Sequence, residues 1–147
     1  MNNLISVVVT CYNHEKYIEQ CLRSVFNQTY TNIELIVLDD GSTDSSTQII
    51  QEVLKDSPFE TRFETHENLG VVKNRNLGLE LIRGDYLLFV DSDNYLDADY
   101  VEQLYSKLTE TNADIAYCDL FNPEKEDFYL KSREFDLTAF LNASFID

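Results

Sequence analysis

The sequence is poor in positive charge. It contains 11 Lys and Arg residues against 27 Asp and Glu residues, which gives a formal net charge of −16 at pH 7. Such a chain repels phosphate backbones and anionic lipid surfaces, so nucleic acids and membrane surfaces are disfavoured as direct partners. A phosphorylated ligand would need local compensation of this charge, and a divalent cation held by carboxylates is the simplest source of it.

Cysteine is also scarce. The three residues Cys11, Cys21 and Cys118 form no Cys-x-x-Cys pair and have no neighbouring histidine that would complete a zinc site. This pattern excludes a disulfide framework and a structural zinc centre as organising features. We expect reduced, mostly buried thiols.

Long hydrophobic runs are missing as well. Residues 1–3 lead directly into the apolar segment 4–9, without a basic leader region or a long apolar stretch. No segment reaches the roughly 20 apolar residues that a membrane helix needs. The sequence therefore predicts a cytoplasmic protein without a transmembrane segment, and any membrane association would come from partners or from parts outside this chain.

The chain does have enough apolar material for a core. Hydrophobic residues make up 44% of the 147 residues and include nine Phe and nine Tyr. This length and composition predict one domain, residues 1–147, around a core of ordinary size. No internal repeat, low-complexity tract or flexible linker divides the chain.

Apolar residues alternate along the chain between continuous runs and helical spacing. The continuous runs predict strands buried on both faces, and the spaced residues predict amphipathic helices. We predict strands at residues 4–10, 33–38, 59–65, 86–90 and 115–118, and helices over 18–26, 49–54, 71–82 and 101–108. Gly84 is predicted to cap the third helix. The alternation indicates an α/β fold, a mostly parallel, doubly wound sheet with helices on both faces.

Polar clusters follow three of the predicted strands, at residues 10–13, 39–40 and 91–93. In an open parallel sheet, ligands bind beyond the carboxyl ends of the strands. We therefore expect these three clusters, which are distant in sequence, to meet in one crevice.

The segment 91–93, Asp-Ser-Asp, presents two carboxylates at a strand end. They could share one hard cation, Mg²⁺ or Mn²⁺, or they could form a solvated turn before the next helix. An isolated pair of acids does not distinguish these interpretations.

Asp40 ends another strand, and its carboxylate could accept a hydrogen bond from a nucleobase or a ribose hydroxyl. The alternative is turn formation alone, since Asp and Gly favour turns in any protein. Tyr12, beside Asn13, could stack on a base or could be a half-buried aromatic residue at a strand end.

Arg75 follows Val72 by three residues and precedes Leu79 by four, which predicts a guanidinium on the same helical stripe as apolar residues. Its partner could be a diphosphate or one of the many carboxylates of the chain. The two histidines, His14 and His66, are isolated in sequence, and we expect loop or surface packing for both.

Taken in order, these segments resemble a known family. The matching stretches are SVVVTCYN at 6–13, SVFNQT at 24–29, ELIVLDDGSTD at 34–44, NLG at 68–70, KNRNLG at 73–78, GDY at 84–86 and FVDSD at 89–93. They resemble the N-terminal half of family 2 glycosyltransferases, which have the GT-A fold. The resemblance covers nearly all of residues 4–118.

The resemblance implies a donor site for a nucleoside diphosphate sugar, usually a UDP-sugar. Thr10, Tyr12 and Asp40 would surround the nucleobase, and Arg75 and Asn76 would lie near the donor. Asp93 would be the direct ligand of Mn²⁺ or Mg²⁺, and Asp91 would approach the ribose or the metal. The complete set of expected donor-binding residues is Thr10, Tyr12, Asn13, Asp40, Arg75, Asn76, Asp91 and Ser92, with Asp93 and Asp91 as metal ligands.

The resemblance also implies the reaction: a single displacement at the anomeric carbon with inversion, in which a carboxylate deprotonates an acceptor hydroxyl. The acceptor would be a carbohydrate or a lipid-linked molecule, in surface polysaccharide synthesis. The family's acceptor region follows the donor half, so we expect residues 122–147 to begin that region and the catalytic base to lie beyond Asp147 of a truncated chain.

Three other interpretations remain. A Mg²⁺-binding receiver module has a similar acidic pocket, but it should carry a lysine at a later strand end, where this sequence has Asp119. A nucleotidyltransferase should open with a glycine-rich phosphate loop, which the segment 10–13 does not provide. A regulatory nucleotide-binding module that assembles with a separate catalytic chain remains open.

Overall fold

The computed structural model describes residues 3–117, 121–122 and 127–128. The chain divides into two compact units, Met1–Gln103 and Leu104–Asp147. The first unit contains all three polar clusters identified in the sequence.

A four-stranded parallel sheet forms the centre of the first unit. Its strands are β1 (Ile5–Cys11), β2 (Ile33–Asp39), β3 (Glu60–Thr65) and β4 (Tyr86–Asp91), in the order β3-β2-β1-β4. Every residue of β2 and nearly every residue of β1 is buried, because these are the two inner strands and helices cover both of their faces. The prediction of a parallel α/β sheet is confirmed.

The helices that accompany the sheet in the first unit are α1 (Ile18–Phe26), α2 (Ser46–Val53) and α3 (Val71–Leu81). A further helix, α4 (Tyr100–Thr111), begins at the end of the first unit and continues into the second. A single 3-10 turn, Leu54–Asp56, extends α2. In the second unit, β5 (Phe121–Asn122) pairs antiparallel with β6 (Asp127–Phe128).

The face of the sheet below α3 is built around Val8, Ile36 and Leu38. Partly buried side chains complete this cluster: Leu77, Leu81, Ile82, Leu87 and Phe89. Gly78 allows the close approach of α3, since a Cβ atom there would lie 2.8 Å from Val8 Cγ1.

The opposite face carries the alternate residues of the same strands, all fully buried: Val7, Val9, Leu35 and Val37. Helices α1 and α2 contact each other, and the Cys11 side chain, which belongs to this face, lies against Ser46 at the start of α2. Helices therefore lie on both faces, as predicted.

Three predictions about local structure are wrong. Residues 115–117 are not a strand, and Cys118 lies outside the described residues. Gly84 does not cap α3: the helix ends at Leu81, and Ile82 is already extended, with φ −67° and ψ 146°. Gly84 is instead required for a close approach, because a Cβ atom there would lie 2.7 Å from the Leu4 carbonyl oxygen.

The predicted apolar stripe on α3 is the third error. Val72 is 69% exposed and Leu79 is 46% exposed, whereas the buried residues of the helix are Asn74 and Gly78. Arg75 is only half-buried. The interior side of α3 is therefore partly polar. Its polar residue Asn74 lines the cleft near the N-terminal end of the helix.

Cys11 and Cys21 are free, buried thiols, as predicted. Burial raises the pKa of both thiols, that of Cys21 to about 12. Since the thiolate is the reactive form, we expect neither residue to be alkylated by iodoacetamide at neutral pH in the folded chain. Peptide mass spectrometry would measure each cysteine separately, with guanidinium-unfolded protein as the positive control. Rapid labelling of Cys21 in the folded chain would contradict the structure.

Among the helices of the described residues, none is long and apolar enough to cross a membrane.

Candidate functional site

The carboxyl ends of β1, β2 and β4 lie side by side. In register, Cys11 pairs with Asp39 and Thr10 pairs with Asp91. Two backbone hydrogen bonds join the loops that follow: Asp40 N donates to Cys11 O at 2.8 Å, and Ser92 N donates to Thr10 O at 3.2 Å. The predicted meeting of the three polar clusters is therefore confirmed.

These strand ends form one wall of a cleft of about 510 Å³, and the loop before α3 forms the other. The lining residues are Thr10, Cys11, Tyr12, His14, Asp40, Asn68, Gly70, Val71, Asn74, Arg75, Asp91 and Asp93. The structure thus brings together six of the nine residues that the sequence indicated. Asn13, Asn76 and Ser92 do not line the cleft.

Each of these three residues has a different position. Asn76 is exposed on α3, where Asn74 occupies the buried position beside the cleft. Ser92 is fully buried, and its hydroxyl lies 2.7 Å from His14 Nδ1. A direct role for Asn76 or Ser92 in donor binding stays a prediction.

Asn13 joins two loops of the site. Its φ of 55° turns the chain sharply after β1, a conformation that asparagine tolerates better than most residues. Its side-chain Oδ1 accepts from Thr43 N at 2.7 Å, and its own N–H donates to Ser42 Oγ at 2.9 Å. Asn13 therefore fixes the loop after β1 against the loop after β2.

Arg75 is paired with Asp91. Its Nη2 donates to Asp91 Oδ1 at 2.7 Å, and the guanidinium carbon lies 5.6 Å from the centre of the Phe89 ring. Thr10 Oγ1 also reaches Asp91 Oδ1, at 3.4 Å. The sequence left two partners open for Arg75, a diphosphate and a carboxylate. In the structure, Arg75 pairs with a carboxylate, that of Asp91.

This pair still leaves binding capacity at the cleft. Both side chains are more than 40% exposed, although Arg75 Nε itself is buried and has no hydrogen-bond partner within the described part of the chain. A phosphate oxygen is the kind of acceptor that a guanidinium edge binds.

Asp91 and Asp93 are the candidate metal ligands. Both line the cleft, whereas the intervening Ser92, in the turn that follows β4, is fully buried. No group of three or more metal-binding side chains occurs among the residues described. Two carboxylates nevertheless fit Mg²⁺ or Mn²⁺ bound mainly by substrate phosphates and water, which is the usual mode for Mg²⁺.

Asp40 is 4% exposed and holds the loop before α3. Its Oδ1 accepts from Leu69 N at 2.7 Å, its Oδ2 accepts from Gly70 N at 3.0 Å, and His66 Nδ1 lies 3.5 Å from Oδ1. These contacts place Asn68 at the cleft. Each carboxylate oxygen can accept a second hydrogen bond, so Asp40 can anchor the loop and bind a ligand.

The neighbouring Asp39 is fully buried and has a structural role. Its Oδ2 accepts from Thr47 Oγ1 at 2.7 Å and from Thr65 Oγ1 at 3.0 Å. It thus ties β2 to α2 and β3. Of the two adjacent acids, only Asp40 faces the cleft.

Sequence reasoning missed several lining residues, above all His14, Asn68 and Asn74. His66 is not an isolated surface residue either, because it contacts both Asp40 and Asn74, the latter at 3.2 Å from Nε2. Asn68 and Asn74 lie in stretches that carry the family resemblance, which is the signal that could have indicated them. For His14 and His66 the contacts depend on which loops meet at the strand ends, which the sequence does not record.

Comparison with known proteins agrees with this arrangement. Residues 6–144 match the Glycosyl transferase family 2 profile. Glycosyltransferase GlyA of Streptococcus pneumoniae serotype 4 is 42% identical over 131 residues, which are 88% of this chain and 19% of GlyA. The teichoic acid poly(glycerol phosphate) polymerase of Staphylococcus epidermidis is 34% identical over 127 residues, 86% of this chain and 18% of the polymerase. The chain thus spans about a fifth of these relatives.

Solved structures give the same result. Residues 1–349 of S. aureus TarS, in complex with UDP-GlcNAc, match with a TM-score of 0.68 and 33% identity over 76% of this chain and 32% of that one. The mannosyltransferase PcManGT of Pyrobaculum calidifontis, in complex with GDP-Man and Mn²⁺, matches with a TM-score of 0.63 over 67% of this chain and 30% of that one. At 24% identity the second match shows the fold alone. The chain belongs to glycosyltransferase family 2.

Proposed function

We propose that this chain binds a nucleoside diphosphate sugar, a UDP-sugar, in the cleft, and that it is the donor-binding part of an inverting glycosyltransferase. The observation that carries the proposal is the meeting of two chemically different groups in one cleft. Tyr12 and Asp40 provide an aromatic surface and a hydrogen-bond acceptor, and Asp91 and Asp93 provide carboxylates. UDP likewise has a base at one end, which the aromatic ring and the acceptor would bind, and a diphosphate at the other, which the carboxylates would bind through a cation.

The base end would use residues of the loops after β1 and β2. Tyr12 is 45% exposed, so its ring is accessible for stacking on a nucleobase. Asp40 can accept from a nucleobase N–H while it holds the loop that carries Asn68. The complex of TarS with UDP-GlcNAc supports UDP as the nucleotide.

The diphosphate end would use the carboxylates and Arg75. Asp93 is exposed and lines the cleft. A divalent cation bound by Asp93 and Asp91 would neutralise charge on the departing diphosphate. The Arg75 side chain, which donates to Asp91 through Nη2, is 41% exposed and would orient a phosphate.

In the transfer step, a carboxylate would remove the proton of the acceptor hydroxyl. We assign this carboxylate to the part of such enzymes that this chain does not match. The acceptor would be a carbohydrate or lipid-linked molecule of a surface polysaccharide, which the similarity to a teichoic acid polymerase supports. The family match runs across both compact units, which supports a single domain over residues 1–147.

Calorimetric titration of the chain with UDP, with and without Mn²⁺, tests the donor site. We expect binding to be stronger with Mn²⁺, and Asp93→Ala to weaken the metal-dependent binding at least about tenfold, because one of only two protein ligands is lost. Asp56→Ala is the matched control, since Asp56 is 67% exposed and does not line the cleft. A folded wild-type chain that binds neither UDP nor other nucleotides would refute the proposal.

A further inference from the structure

His14 is held in one orientation by contacts on several sides. Its N–H donates to Ser46 Oγ at 2.9 Å, and its carbonyl oxygen accepts from Tyr17 N and Ile18 N, which begins α1. Its ring meets the Tyr17 ring edge to face, with centroids 6.1 Å apart at 88°. Its Nδ1 lies 2.7 Å from the hydroxyl oxygen of the buried Ser92.

The other ring nitrogen is unengaged. Nε2 of His14 makes no hydrogen bond to the residues that the structure describes, and the side chain lines the cleft together with Asp91 and Asp93. The ring is therefore fixed through Nδ1 and has its second nitrogen available to a ligand. Because Ser92 lies between the two candidate metal ligands, His14 belongs to the diphosphate end of the cleft.

The Ser92 hydroxyl has two neighbours, His14 Nδ1 at 2.7 Å and the Cys11 side chain. When this hydroxyl donates to His14 Nδ1, the proton of the neutral imidazole is on Nε2, and His14 presents a donor to the cleft.

We propose that His14 is a donor-binding residue that donates a hydrogen bond from Nε2 to the diphosphate of the nucleotide, with Ser92 fixing the orientation of its ring. This inference rests on the proposed function of the same cleft. It differs from a purely structural role, in which His14 would serve only to hold Ser92 and the turn between Asp91 and Asp93.

Two substitutions separate these roles because each keeps one nitrogen position of the ring. His14→Gln places an amide near the position of Nε2, and His14→Asn places one near the position of Nδ1, within reach of Ser92. We expect His14→Ala and His14→Asn to bind UDP at least about fivefold more weakly than wild type, as for a lost hydrogen bond to a charged group. His14→Gln should stay within about threefold of wild type, on the same basis.

The titrations should use Mg²⁺, since this cation prefers oxygen ligands and the loss then cannot be that of an imidazole bound to the metal. Uridine, which lacks phosphate, is the second probe, and its weak binding can be followed by NMR. We expect all variants to bind uridine as wild type does. Thermal unfolding of each variant shows that it is folded.

The inference is overturned if His14→Asn binds UDP as wild type does while His14→Gln resembles His14→Ala, because Ser92 would then be the only partner that matters. It is also overturned if the variants lose uridine affinity as much as UDP affinity, or if none of them differs from wild type. Failure of the wild-type chain to bind UDP at all would instead refute the proposed function, and with it this role of His14.

Discussion

Replacement of Glu34 by alanine is expected to lower the free energy of unfolding by about 3 kcal/mol, because buried donors would lose their acceptor. Glu34 is only 4% exposed at the start of β2, in a run of otherwise apolar residues. Its Oε1 accepts from Ser6 Oγ at 2.5 Å, from Arg83 N at 2.6 Å and from Gly84 N at 3.2 Å. One carboxylate thus joins two strands to the segment that follows α3.

A matched control exists in the same ion-pair network. Arg83 Nη2 contacts both Glu34 Oε2, at 2.7 Å, and Glu60 Oε1, at 2.8 Å, but Glu60 is 72% exposed. Glu60→Gln should therefore leave the free energy of unfolding close to the wild-type value, since water replaces an exposed partner. Urea unfolding followed by circular dichroism measures both variants, and equal losses for Glu34→Ala and Glu60→Gln would contradict the assigned role.

The same residue contributes to the acid sensitivity of the fold. Burial opposes ionisation of Glu34, but the hydrogen bonds from Ser6 and Arg83 and the charge of Arg83 outweigh it and hold the pKa below its usual value. A lowered pKa contributes stability above the pKa of the unfolded chain, and this contribution is lost as the pH falls through the folded pKa. As the pH falls from about 5 through the unfolded pKa of about 4.3 and below it, the wild type should therefore lose more stability than Glu34→Gln, whose side chain does not titrate.

The elements with uninterrupted apolar patterns could be predicted from the sequence. Strands β1, β2 and β4 and helices α1 and α2 are within a few residues of their predicted positions, because burial on both faces of the sheet leaves a continuous apolar run and burial of one helix face leaves a clear spacing. Their polar ends then meet by topology alone, which is why the crevice could be predicted.

Helix α3 is also where the sequence predicted it, at Val71–Leu81, but its buried side and the role of Gly84 after it could not be predicted in the same way. Its apolar residues Val72 and Leu79 are exposed, and its interior positions are Asn74 and Gly78. The inner side of this helix mixes Asn74 and Gly78 with the leucines Leu77 and Leu81, so apolar spacing alone does not identify it. Gly78 is required by its distance to Val8, which no local pattern records. Gly84 was misassigned for the same reason, since a helix cap and a close approach both favour glycine.

The different roles of the two adjacent acids at the end of β2 could not be predicted from residue type and position alone. Asp39 and Asp40 are adjacent and of the same residue type, and their roles differ because Asp39 contacts Thr47 and Thr65 while Asp40 contacts the backbone of the loop before α3. The resemblance to a family selected Asp40 for the ligand. Its second role as the anchor of that loop depends on a contact between residues 29 positions apart.

Asp40→Ala is expected to weaken both the loop and nucleotide binding. Two backbone N–H groups, of Leu69 and Gly70, would lose a charged acceptor, which predicts a loss of about 2 to 3 kcal/mol in the free energy of unfolding. Since the same loop brings Asn68 to the cleft, we also expect UDP affinity to fall at least about tenfold. Asp44→Asn is the control, because Asp44 holds Glu15 N and Ser46 N but does not line the cleft.

Amide hydrogen exchange separates the two roles of Asp40. If the carboxylate anchors the loop, the Leu69 and Gly70 amides should exchange faster in Asp40→Ala before any ligand is added, while amides of β1 change only as far as global stability does. If Asp40 contacted only the nucleobase, these two amides would keep their wild-type protection and UDP affinity alone would fall. Unchanged protection of both amides would therefore refute the anchoring role, because no other described side chain accepts from them.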